Sequence, residues 1–278
     1  MIVRFLTAVA FGITLLVIKL SVSDAAVGQS YTTDAFDPVA ALAFSQGAIG
    51  RQIGDHHFLD RNRQSVRLAD FRGQPLVISL IFTSCNHTCP LLTQHLADAV
   101  EAAQDALGND SFQTVTIGFD PVADTPERLS DYAQTQGIEL PNWRFLSGDA
   151  ETLDALIADL GFIRVESPRG FDHLAQTSLI DPAGKVYQQV YGDSFGVTAV
   201  VEPLKAILFN KAVHPFDITD IVQRVRLFCT FYDPKTERYG FDYSIFISIA
   251  VGLVTLLGLG AILISSWRRS RKTPLGGV

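Results

Sequence analysis

Cys85 and Cys89 stand four residues apart in the segment Phe82-Thr83-Ser84-Cys85-Asn86-His87-Thr88-Cys89-Pro90. The segment lies where a continuous apolar run, Leu76 to Phe82, gives way to a helical pattern. Two thiols at the positive end of a helix sit beside its dipole and its free backbone N–H groups, which stabilise a thiolate. Such a pair supports two chemistries. It can exchange electrons with a disulfide, or it can hold a thiophilic metal such as Cu(I). A static disulfide is the plain structural alternative, since the spacing tolerates one and an exported location permits it.

The elements that must carry this pair follow from the hydrophobic pattern. Phe58-Leu59 and Val66-Arg67-Leu68 read as short strands around the polar turn Asp60 to Arg63. Leu76 to Phe82 reads as a central strand buried on both faces. The helix after it places Leu92, Leu96, Ala99, Ala103 and Leu107 on one stripe. Val115 to Phe119 is the next buried strand, ending at Asp120-Pro121. Thr125-Pro126-Glu127 then starts a helix, with a Thr cap, Pro at the first helical position and an acid in the first turn. Trp143 to Leu146 reads as a strand, and Asp149 or Ala150 to Leu160 as a helix. Thr177 to Ile180 and Val186 to Tyr191 form a hairpin around Asp181-Pro182-Ala183-Gly184, and a helix spans about Val197 to Leu208. Alternating strands and helices with a late hairpin predict an α/β core with helices on both faces of a sheet.

The two ends account for the chain's excess of apolar residues, which make up 47% of its 278 residues. Phe5 to Ile18 is uncharged and mostly apolar, follows Arg4, and is short for a bilayer span. With Ser23-Asp24-Ala25 as a small-x-Ala site, residues 1–25 read as a secretory signal, with an uncleaved anchor as the alternative. Tyr243 to Trp267 carries no formal charge, is long enough to cross a bilayer, and has aromatic residues at both ends. Arg268, Arg269, Arg271 and Lys272 follow, a basic tail that the positive-inside rule assigns to the cytoplasm. The net charge is −7 overall and −12 for residues 26–266 once the two basic ends are set aside. So acidic a body repels phosphate backbones, which argues against a nucleic-acid partner.

Several spaced motifs lie in one order. They are Cys85-x-x-x-Cys89-Pro90, then Asp120-Pro121-x-x-Asp124-Thr125-Pro126, then Asp172-His173 before Leu179-Ile180-Asp181-Pro182-x-Gly184. Over about residues 51–210 this order resembles the Sco/SenC family. The resemblance implies a thioredoxin-like fold, a central mixed sheet flanked by helices, here with a single transmembrane helix at the C-terminal end. It also implies membrane anchoring and a copper ion, Cu(I) with Cu(II) left open, held by Cys85, Cys89 and His173. The partner it implies is a cytochrome c oxidase subunit or another copper carrier. The corresponding organisation is a signal peptide (1–25), a lead segment (26–50), a thioredoxin-like domain (51–212), a connector (213–242), a transmembrane helix (243–267) and a basic tail (268–278). The expected location is a bacterial cytoplasmic membrane, with the folded domain outside and the C-terminus inside.

The chemistry of the donors agrees with copper, because sulfur-rich low-coordinate sites favour Cu(I) over hard cations. On this reading His173 arrives from a distant loop, and Asp172 is either a group that orients its imidazole or a plain loop carboxylate. Asp120 could face the thiols, although strand termination and helix capping explain its segment equally well. His87 inside the cysteine loop reads as a solvated residue or an extra ligand, and His95 as packing. His56, His57 and His214 show no evident partner in the sequence. Cys229, among aromatics about fifteen residues before the apolar span, reads as a buried thiol or a contact with a membrane partner. The same cysteines would serve a thiol-disulfide oxidoreductase that reduces partner cysteines.

Overall fold

The computed structural model describes residues 36–168, 170–210, 230–233, 238–241 and 243–270. The signal-like segment, Cys229 and His214 therefore lie outside the described residues. Within them the first element is α1 (Pro38–Gln46), in the stretch that the sequence pattern assigned to an irregular lead. Asp37 caps it by accepting from the Val39 and Ala40 amides, and Pro38 supplies its first turn. The helix lacks a broad apolar stripe because it buries only Ala41 and Ser45. Its anchor is polar: Ser45 Oγ donates to Gln176 Oε1 at 2.7 Å.

Strands β1 (His57–Asp60) and β2 (Ser65–Arg67) pair antiparallel, and the 3₁₀ turn Leu68–Phe71 leads into β3 (Leu76–Ile81). Every residue of β3 is buried, as its apolar run requires. After it come α2 (Thr88–Leu107), β4 (Gln113–Gly118), α3 (Pro126–Thr135), β5 (Trp143–Ser147) and α4 (Ala150–Leu160). Thr125 caps α3 through its side chain, as expected from the sequence, and Asp149 caps α4 in the same way. A small hairpin, β6 (Arg164–Ser167) with β7 (Gly170–His173), precedes β8 (Gln176–Ile180), β9 (Val186–Tyr191) and α5 (Thr198–Asn210).

Seven strands form one mixed sheet in the order β2-β1-β5-β4-β3-β8-β9. Its centre, β5-β4-β3, is parallel; the pairs on either side are antiparallel. Helices flank it: α2 meets α3 through a 2.8 Å hydrogen bond between Thr93 Oγ1 and Tyr132 OH and also packs on α5. The core is continuous from Phe58 through Ile78, Leu96, Ile117 and Leu153 to Leu204. This is the thioredoxin-like arrangement expected from the sequence, and the parallel centre delivers the end of β3, the end of β4 and the start of α2 to one rim.

Beyond α5, β10 (Thr230–Asp233) and β11 (Arg238–Phe241) pair antiparallel. The last element, α6 (Ser244–Ser270), contains Phe246–Ser265, a 20-residue stretch of mean hydropathy 2.6 with none of its residues buried. By length and composition it is a candidate membrane span.

Candidate metal centre

The site is built where β3 ends. Residues 82–87 turn away from the strand, with the Cys85 amide donating to the Phe82 carbonyl at 3.0 Å. Helix α2 begins at Thr88, so Cys89 is its second residue and its amide is one of the helix's unpaired donors. That amide points at Cys85 Sγ, 3.3 Å away. Both cysteines are free thiols in this structure. Their environments differ sharply: Cys85 is half-exposed, whereas Cys89 is 1% exposed and part of the core.

This geometry separates their acidities. The Cys89 thiol, then the backbone amides of Cys89, His87 and Thr88, hydrogen-bond the Cys85 sulfur and bring its pKa down from 9.0 to about 5, against the opposing effect of burial. Cys85 is therefore a thiolate at neutral pH. Cys89 moves the other way, because it donates to Cys85 and because burial disfavours its ionised form. Next to the thiolate opens a cleft of about 370 Å³, lined by Thr83, Cys85, Asn86, Pro90, Arg128 and Tyr132 among others.

A carboxylate that the sequence reading left without a role holds the cysteine turn. Asp124 is 2% exposed, and its Oδ1 accepts from both the Thr83 amide and the Thr83 hydroxyl at 2.7 Å. Its Oδ2 accepts from the Asp120 amide at 2.9 Å. Burial raises its pKa, and those three bonds oppose the rise. The fold makes room for it: a Cβ on Gly118 would stand 2.4 Å from the Asp124 Cβ. Asp120, by contrast, spends Oδ1 on the Val122 and Ala123 amides of its own turn. The clue in the sequence was the four-residue spacing of Asp120 and Asp124 immediately after a buried strand.

His173 comes not from a loop but from the last position of β7. The sequence reading missed this hairpin because each of its strands has only four residues, and neither joins the main sheet. The imidazole is pressed among Phe119, Phe162 and Phe82, with ring centroids 5.2, 5.3 and 6.0 Å away. Burial lowers its pKa, opposed by its hydrogen bond to Leu174 and by the Cys85 and Asp172 charges, so the ring is neutral at pH 7. Its Nδ1 lies 2.8 Å from the Leu174 carbonyl; a neutral ring then donates from Nδ1 and leaves Nε2 as a lone-pair donor. The orienting group is thus a backbone carbonyl rather than Asp172.

Cys85 and Cys89 are brought together, and His173 lies near enough to feel the Cys85 charge. Among the described residues, no three Cys, His, Asp or Glu side chains are already gathered tightly enough to hold an ion. His87 is exposed at the α2 N-cap position with no side-chain capping bond, and His95 is half-buried on α2. His56 does have a partner, Asp159, whose Oδ2 lies 2.7 Å from its Nε2.

The chain has relatives among known proteins. The SCO1 protein homolog of Bacillus subtilis is 27% identical over 139 residues, 49% of this chain and 71% of that protein. Among solved structures, BsSco, "a member of the Sco family of cytochrome c oxidase assembly proteins", superposes with a TM-score of 0.52 at 22% identity, covering 58% of this chain and 96% of its own. Arabidopsis thaliana ScoI "with copper bound" gives a TM-score of 0.50 at 18% identity, covering 57% and 98%. The SCO1/SenC family profile matches residues 47–208, more than half of the sequence, and the chain belongs to that family.

Proposed function

We propose that this protein is a membrane-anchored copper metallochaperone. It holds Cu(I) on Cys85, Cys89 and His173 and passes it on for assembly of the copper site of cytochrome c oxidase. The observation that carries the reading is the donor set at one rim: a ready thiolate, a second sulfur in contact with it, and a neutral imidazole with Nε2 free. Soft thiolates with one imidazole suit Cu(I) and discriminate against hard cations. Cys89 must lose its proton for the ion to be held, which couples loading to pH. The half-exposed Cys85 sulfur is the one an acceptor protein can reach, so ligand exchange starts there. The acceptor is an oxidase subunit or an intermediate copper carrier.

The same asymmetry favours a second reading, a thiol-disulfide reductase. An accessible thiolate attacks a partner disulfide, and a buried neighbouring thiol then resolves the mixed disulfide. His173 separates the two, because thiol exchange has no need of its imidazole.

Full-length protein in detergent, reduced and anaerobic, is to be titrated with Cu(I) against a competing chelator. One tightly held copper is expected, abolished in Cys85→Ser and Cys89→Ser and weakened about 10- to 100-fold in His173→Ala. Absence of copper binding, with ready reduction of a disulfide by the wild type, rejects the chaperone in favour of the reductase.

A further inference from the structure

The cysteines and His173 reach the rim on separate pieces of chain. Cys85 and Cys89 belong to the β3–α2 junction, embedded in the main sheet and core. His173 belongs to the two-stranded β6–β7 sheet, which shares no ladder with the seven-stranded one. Its position relative to the thiols therefore depends on side-chain anchors. Phe171 packs on Phe82 and Phe119, and Arg164 adds the polar anchors. Arg164 lies directly across the β6–β7 ladder from His173. Its Nη1 donates to the Phe119 carbonyl, and its Nη2 donates to Asp154 Oδ1 on α4 at 2.8 Å. The guanidinium also lies over the rings of Phe119 and Phe171, 5.9 and 5.8 Å from their centroids. Only 17% of the side chain is exposed.

Phe119 is the common element. Its ring meets Arg164 and also packs 5.2 Å, centroid to centroid, from the His173 ring. The amide of the next residue, Asp120, donates to Asp124, which in turn holds the Thr83 amide and hydroxyl of the cysteine turn. A continuous chain of contacts thus runs from the His173 strand through Arg164, Phe119 and Asp124 to the cysteine loop. We propose that Arg164 is a positioning residue that fixes the His173 hairpin against the end of β4, and so sets the imidazole for the copper held by the cysteines. Its role rests on the ligand reading of His173. A planar guanidinium is suited to the task because two directed N–H groups and a stacking face act at once, which an ammonium cannot reproduce.

The test compares wild type, Arg164→Ala and Arg164→Lys, each with and without His173→Ala, as full-length protein in detergent. In metal-free protein labelled with ¹⁵N-histidine, wild-type His173 is expected as a single tautomer with its Nδ1 proton protected by Leu174. Both Arg164 variants are expected to lose that signature while the thermal midpoint confirms a folded domain. Cu(I) affinity is expected to fall by about tenfold in both variants, and to fall no further when His173 is already Ala. A His173 signature unchanged in both variants, or an equal affinity loss in the His173→Ala background, overturns the proposal. The tautomer measurement needs no copper, so it decides the positioning role even if wild type fails to bind the metal. The His173→Ala titration judges the copper reading separately.

Discussion

At the level of single residues, the two cysteines are chemically unlike although they are identical in sequence. The difference comes from one helix terminus: Cys85 collects hydrogen-bond donors and remains half in solvent, while Cys89 turns into the core and keeps its proton, donating it in a hydrogen bond to the Cys85 sulfur. With its pKa near 5, Cys85 gains thiolate as pH rises from 4 to 6 and is saturated above that. Alkylation of the reduced protein by iodoacetamide, followed by mass spectrometry, is therefore expected to modify Cys85 first, at a rate that climbs to a plateau by about pH 6–7. An unperturbed thiol would still be accelerating at pH 8. Cys89 is expected to stay unmodified in the folded protein. Equal reactivity of the two, or a midpoint near 8.5 for Cys85, would remove the asymmetry on which both functional readings draw. The spacing of the pair disclosed its chemistry in the sequence. Asp124 offered only its four-residue spacing from Asp120, and Arg164 offered no sign, because their partners Thr83 and Phe119 lie 41 and 45 residues away. Only tertiary structure brings them together.

At the level of elements, within residues 36–210 the strands and helices that bury a face were legible and those that do not were missed. Strand β3 and helix α2 follow from an unbroken apolar run and an apolar stripe. Helix α1 buries two small side chains and offers no stripe, although Asp37-Pro38 is a capping signal. The β6–β7 hairpin is four residues a side, with all but one of its described positions only partly covered. A glycine holds that hairpin in place. Gly170 has φ +110°, and a Cβ there would come within 2.7 Å of the Phe82 ring, just before the cysteine turn. Gly170→Ala is expected to destabilise the protein by about 1–3 kcal/mol through backbone strain, with further cost from the clash. Gly73, with φ +92° and open space around its Cβ position, is the control that pays strain alone. Denaturant unfolding of the two variants should therefore rank Gly170→Ala as the more damaging. It should also move His173, which Gly73→Ala should leave alone. Equal losses would mean that the Phe82 contact is not a constraint on the hairpin.

At the level of the whole molecule, the proposed function calls for one compartment, and the charge distribution agrees with it. Copper transfer to an oxidase, or disulfide exchange, calls for thiols on the outer side of an energy-conserving membrane, where cysteines meet oxidants and exported partners. Four cations follow Trp267 at the end of the candidate span Phe246–Ser265, and the positive-inside rule expects such a tail in the cytoplasm. On the proposed function the folded domain lies outside, tethered by this candidate span. A fluorescent protein fused after Val278 is expected to light up in the cytoplasm of a bacterial host, while a phosphatase at the same point stays inactive. Replacing Arg268, Arg269, Arg271 and Lys272 with neutral residues should weaken that preference, since loop cations near a span bias its orientation. An active phosphatase in the unaltered fusion would put the tail outside, and the cysteine rim would then face the reducing side. Neither copper delivery to an exposed oxidase subunit nor reduction of exported disulfides could survive that result.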